Sequence, residues 1–187
     1  MKTAAELYGL VLSGGRSTRM GKDKGLLHYH GKAQREHLFE LLREHCSKVF
    51  TSSYSGQQVP NDLNPLVDEF DFRSPINGIL TAFKKFPHTA WLVVAVDMPN
   101  VDRDVLELLI SNRDQNKVAT CFYNPEEKLP EPLLTLWEPA AFPLLLKFVE
   151  NGKISPRDFL NQHAVQLIQP RDISIFRNVN SPDELPS

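Results

Sequence analysis

Trp91–Asn100 reads WLVVAVDMPN. Its first six residues are apolar without alternation, so a strand here buries both faces, as strands of a parallel sheet do. Asp97 follows at once. Pro99 has no amide N–H to give to a ladder, so the strand cannot run on through it. The sequence thus sets a carboxylate at the carboxyl end of a buried strand. In open α/β sheets, ligands bind in the crevice outside those ends.

The segments on either side repeat the pattern. Leu7–Leu12, Lys48–Ser52, Leu66–Val67, Val118–Tyr123, Leu133–Trp137 and Val165–Ile168 read as further strands. Between them, apolar residues recur at helical spacing over 33–46 (Leu38, Leu41, Leu42, Cys46), 75–86 (Ile79, Ala82, Phe83), 101–112, 139–151 and 155–163. Gly152 stands where the fourth of these helices should be capped. Alternating strands and helices imply an α/β protein, a three-layer α/β/α sandwich with a mostly parallel sheet. No repeat or linker interrupts the alternation, so one domain is expected over 1–187. His28 and His30 flank Tyr29 and are expected on one face of a short strand, at the surface.

The balance of charge excludes some partners. Lys+Arg number 21 against 23 Asp+Glu, for a net charge of −2. A nucleic-acid binder would carry a strongly basic face, so none is expected as a partner. The longest apolar run is far too short to span a bilayer, and MKTAAELYGL has no signal-peptide pattern. The expectation is a soluble, cytoplasmic protein with no membrane partner. The two cysteines, Cys46 and Cys121, form no CxxC pair and read as reduced core residues.

Positive charge is instead concentrated in one place. Leu10–Leu27 reads LVLSGGRSTRMGKDKGLL: a strand, a Gly14–Gly15 break, then Arg16, Arg19, Lys22 and Lys24. Asp23 follows Gly21-Lys22, so the Walker A pattern fails; the adjacent glycines also fail G-x-G-x-x-G. The physics still points to an anion. Glycine backbone lets N–H groups converge on a ligand, Arg19 can fork onto phosphate oxygens, and Lys24 supplies a point charge.

Four stretches carry a resemblance: LSGGRSTRMGKDKGLL, VDEFDFRSPINGIL, VVAVDMPNV and NVNSPDEL, in that order from Leu12 to Leu185. Together they resemble the signature elements of the molybdenum cofactor guanylyltransferase family. The resemblance implies a Rossmann-like sheet of the nucleotide-diphospho-sugar transferase type. It also implies Mg²⁺-dependent transfer of GMP from GTP to molybdenum–molybdopterin, with release of pyrophosphate. GTP, molybdopterin and proteins that deliver the pterin are the implied partners. CTP-dependent transfer to the same pterin, NTP-dependent transfer to sugar phosphates, and nucleotide binding without catalysis are the alternatives.

Carried onto this chain, the family's first loop corresponds to Leu12, Ser13, Gly14 and Gly15, which hold the nucleotide. Lys24 and Arg19 correspond to the cations that meet the triphosphate and stabilise the departing pyrophosphate. Asp97 corresponds to the magnesium ligand. Asp68 corresponds to the carboxylate that helps hold the nucleotide on its guanine side, with Asp71 as the rival. Ser52 stands where some members place Asn. Ser74 and Asn77 depart from the usual pattern but leave Pro75 and Gly78 in place. Asn178 and Asn180 are implied to face the second substrate. Lys153 and Arg157 are expected either to meet its phosphate or to be surface cations. Ser181, Pro182 and Glu184 also read locally as a helix start.

Overall fold

A computed structural model describes residues 4–13 and 24–177. Its elements run in the order β1 (Leu7–Leu12), α1 (Gln34–Arg43), β2 (Lys48–Ser53), β3 (Pro65–Val67), α2 (Ile76–Lys85), β4 (Ala90–Ala95), α3 (Arg103–Ser111), β5 (Ala119–Asn124), β6 (Leu129–Trp137), α4 (Ala141–Glu150), α5 (Pro156–Gln162) and β7 (Val165–Ile168). Short 3₁₀ turns add Lys24–Leu26, Asn61–Leu63 and Ile173–Phe176.

The strands form one sheet in the order β3-β2-β1-β4-β6-β5-β7. Every pairing is parallel except those of β6, which runs antiparallel to β4 and β5. All six residues of β4 are buried, as the WLVVAV pattern requires of a strand covered on both faces. Trp91, Val93 and Ala95 enter one core with residues of α2, α4 and α5. Leu92 and Val94 enter the other with residues of α1 and α3. Successive side chains of a strand point to opposite faces, so one apolar run serves two cores.

Local chemistry sets the helix ends. The Asp102 side chain accepts the Val105 N–H at 2.9 Å and caps α3. Ser155 caps α5 through the Asp158 N–H at 3.2 Å, with Pro156 at the first helical position. After α4, Gly152 takes φ +76°. Its N–H bonds to the Val149 carbonyl and the Lys153 N–H bonds to the Phe148 carbonyl, which is the Schellman closure.

One expectation is corrected. His28, Tyr29 and His30 form no strand. His28 makes an isolated bridge to Ala33, and the chain turns between them through Gly31 at φ +74°. A positive φ suits glycine, and Gly31 makes the six-residue loop close before α1. Cys46 and Cys121 are both buried free thiols, and burial pushes each up to about 12.

Candidate nucleotide and transfer site

The parallel strands β1, β2, β3 and β4 end on one edge of the sheet, so the residues that follow them share it. Leu12 and Ser13 are buried at the end of β1. The Gln57 amide reaches across from the β2–β3 connection and donates to the Ser13 carbonyl at 3.1 Å. Ser52, opposite Leu12 in the register, is buried on β2. Its hydroxyl donates to Asp68 Oδ1 at 3.3 Å, and the Asp68 N–H bonds to the Ser53 carbonyl at 2.8 Å. The expected Ser52 and Asp68 positions therefore form a contact pair. Burial pushes the Asp68 carboxyl up to about 6, against the opposing effect of the Ser52 hydrogen bond.

Asp71, the rival of Asp68, is exposed. The two family departures have structural work. Asn77 grips the intervening loop: its Oδ1 accepts the Phe70 N–H at 3.1 Å, and its Nδ2 donates to the Phe70 carbonyl at 2.6 Å. The Thr81 hydroxyl accepts the Glu69 N–H at 3.0 Å. The Ser74 hydroxyl donates to the Ile154 carbonyl at 2.5 Å, tying the start of α2 to the α4–α5 connection.

At Gly78, α2 packs against Ser52 and Leu12 at this edge of the sheet. A Cβ at Gly78 would lie 2.6 Å from Ser52 Oγ and 2.8 Å from Leu12 Cδ2. Only glycine lets the helix seat against those two residues.

Asp97 lies in the turn that leaves β4 and is half-buried. The Val96 N–H bonds to the Leu12 carbonyl at 3.2 Å, which holds this turn beside the end of β1. A residue that sequence reasoning missed stands on its other side. The β4–β6 register pairs Val94 with Leu134; continued along both chains, it brings the Asp97 turn level with Glu131. Glu131 is buried. Burial raises its carboxyl first, and the charges of Glu127 and Asp97 add to the rise. The Leu133 N–H and the Arg157 charge oppose it. The signal in the sequence was Pro130-Glu131-Pro132, a charge inside an apolar strand. Inspection of strand ends passes over it, because β6 is reversed and offers its beginning to this edge.

Arg157, read from the sequence as a candidate for the second substrate's phosphate, is brought to this edge already paired. Its Nη1 lies 2.6 Å from Glu127 Oε2 and its Nη2 lies 3.5 Å from Glu131 Oε2. Lys153 is not brought there. Its Nζ donates to Gln162 Oε1 at the far end of α5 and lies over the Phe148 ring. Lys24 opens the first 3₁₀ turn. Gly14, Gly15, Arg19, Asn178 and Asn180 lie outside the described residues.

The edge thus has two halves. β1, β2 and β3 offer a buried hydroxyl–carboxylate pair; the turn after β4 and the start of β6 offer two carboxylates, and α5 adds the Arg157 guanidinium. Residues 9–167 match the model of the MobA-like NTP transferase domain. The chain belongs to the MobA-like NTP transferase family. It is 37% identical over 95% of its length to the molybdenum cofactor biosynthesis bifunctional protein of Synechocystis, and spans about half of that relative, 52%. It is 31% identical to the molybdenum cofactor guanylyltransferase of Pseudomonas fluorescens, covering 95% of this chain and 91% of that one. Its fold resembles the crystal structure of molybdopterin-guanine dinucleotide biosynthesis protein A from Archaeoglobus fulgidus. That match has a TM-score of 0.73 at 23% identity over 94% of this chain and 93% of the other. The MobA-like family match includes the strands that end at Leu12, Ser53, Val67 and Ala95, so the edge described above lies within it.

Proposed function

We propose that this protein transfers GMP from GTP to molybdenum–molybdopterin in the cytoplasm, as one nucleotidyltransferase domain over 1–187. The observation that carries the reading is the placement of Ser52–Asp68 and Asp97 on one sheet edge, on strands flanking β1. The relatives named for molybdenum cofactor synthesis support the choice of substrates. No helix among the described residues is long and apolar enough to cross a membrane.

In this reading the triphosphate lies over the Leu12–Gly15 loop, with Lys24 and Arg19 as its cations. The guanine edge presents adjacent N–H donors, and the Asp68 carboxylate accepts from them. A phosphate oxygen of the pterin attacks the α-phosphorus of GTP. The bond from that phosphorus to the β-phosphate oxygen breaks, and pyrophosphate leaves with the electron pair. The attacking oxygen is already ionised, so positioning and charge stabilisation supply the rate, with no strong base required.

The donor set fits a hard divalent cation. Asp97 and Glu131 present carboxylate oxygens, and no cluster of three or more ligating side chains is found among the described residues. Magnesium takes one or two carboxylates and fills its shell with phosphates and water. When bound, it neutralises charge on the triphosphate; Asp97 is the residue that would hold it. Asn178 and Asn180 are proposed to face the second substrate, together with Arg157 and, from further away, Lys153. Proteins that deliver the pterin complete the proposed set of partners.

The test supplies purified protein, Mg²⁺ and molybdopterin with GTP or CTP labelled at the α-phosphate. A labelled pterin guanine dinucleotide and equimolar pyrophosphate are expected. Label transferred from CTP in preference to GTP would overturn the base assignment, and no transfer from either would overturn the reaction.

A further inference from the structure

The segment that begins at Lys24 does not rest on α1 alone. Its loop closes on itself through the Gln34 N–H to the Leu27 carbonyl at 2.8 Å and through the His28–Ala33 bridge. The tip of that loop is His30. Its Nε2 lies 3.0 Å from the carbonyl oxygen of Pro99, a residue 69 positions away and two beyond Asp97.

The chemistry settles which nitrogen carries the proton. A carbonyl oxygen only accepts, so Nε2 must be the N–H. A second imidazole packs against this ring. His30 and His37, the latter on α1, stack at 4.0 Å between centroids and 27° between planes. Burial lowers His37 from its ordinary value, and the charges of His30 and Lys32 lower it further against Glu40. A neutral His37 is the better stacking partner for a ring fixed by one hydrogen bond. The other end of the contact is also fixed. The Met98 N–H bonds to the Ala95 carbonyl at 3.2 Å and closes the turn that holds Asp97; the Val101 N–H bonds to the Met98 carbonyl at 3.4 Å and closes the next turn, which holds Pro99.

We propose that His30 is a positioning residue of the transfer site: its Nε2–H bond to the Pro99 carbonyl braces the segment that begins at Lys24 against the pair of turns that carries Asp97 and Pro99. The inference rests on reading Lys24 and Asp97 as the residues on either side of the reacting phosphates. Those two arrive on β-strand connections far apart in the chain, and the His30 bond ties their segments directly. Small misplacements of groups around a phosphoryl centre cost rate rather than binding.

The experiment compares wild type with His30→Ala and His30→Gln. The glutamine amide can place an N–H donor near the Nε2 position, and alanine cannot. In steady-state transfer assays His30→Ala should lower kcat on the order of tenfold or more with KM for GTP little changed. His30→Gln should recover most of the loss, and Tm should stay the same in all three. Hydrogen–deuterium exchange is followed in parallel over 24–33 and 96–101, without substrates. His30→Ala should speed exchange in both segments at once, and His30→Gln should restore protection. Unchanged exchange in His30→Ala overturns the brace whatever the activity. A kcat loss that glutamine leaves in place overturns the positioning role. If wild type transfers nothing, the proposed reaction fails while the exchange comparison still decides the brace.

Discussion

Glu131, near the start of β6, feels the charge of Asp97, in the turn after β4: that charge adds to the rise that burial gives the Glu131 carboxyl. Two such groups repel unless a cation lies near them, and among the described residues Arg157 pairs with Glu131. We predict that Glu131→Gln keeps the bond to the Leu133 N–H but weakens Mn²⁺ binding several-fold, because one of the two negative charges is gone. Asp97→Asn should weaken it more. Electron paramagnetic resonance titration of Mn²⁺ checks both, and wild-type affinity in Glu131→Gln would remove that residue from the cation's surroundings.

Gly78→Ala should damage stability and nucleotide binding together. The new methyl would stand 2.6 Å from Ser52 Oγ, so either α2 or Ser52 must move. Overpacking of this kind costs about 1–3 kcal/mol. A displaced Ser52 hydroxyl also loses Asp68. Thermal unfolding and GTP calorimetry measure the two effects, and an unchanged Tm would show that the helix yields freely.

The Asp68 carboxyl is pushed up to about 6 from 3.8. The folded value lies above the unfolded one, so this group favours the folded state fully below 3.8 and loses that contribution as pH rises through about 6. In the proposed reading binding runs the other way, since only the ionised form of Asp68 accepts two N–H donors from the base. We predict that GTP affinity falls as pH drops through about 6 and that Asp68→Asn binds weakly with no such step. Calorimetry across that range decides it; a flat wild-type profile would take Asp68 away from the base.

Arg113→Met should destabilise the chain by about 3–5 kcal/mol, because it strands a buried charge. Arg113 Nε and Nη2 hold the two Glu138 oxygens at 2.6 and 3.0 Å, with side-chain exposures of 12% and 3%, and Nη2 also reaches the Ala5 carbonyl at 3.0 Å. Replacing both members, as Arg113→Met with Glu138→Leu, should recover part of the loss. Urea unfolding compares the pair; a harmless single variant would mean that Glu138 ionisation does not matter.

Much of the architecture is legible from apolar spacing. β1 and β7 run over the residues expected of them, and each helix falls inside its expected span, because burial on one or two faces writes a period into the chain. The position of Asp97 follows from the same logic, since a proline two residues on must end the strand. Three things were not legible. The reversal of β6 depends on which neighbour it pairs with, and apolar content carries no direction. Glu131 is important through Asp97 and Arg157, which are distant in sequence. His28–His30 alternates as a strand would, but Gly31 turns the chain before any ladder forms.

The reversal of β6 has one more consequence. The β5–β6 hairpin turns over at residues 125–128, and Glu127 in that turn reaches Arg157. In the proposed reading the acceptor side is therefore bordered by a surface hairpin, while the donor side is built from strand ends locked into the sheet. A hairpin can be exchanged between homologues by grafting a handful of residues. Chimeras with new 125–128 turns are the natural way to alter which acceptor is served while the nucleotide donor stays the same.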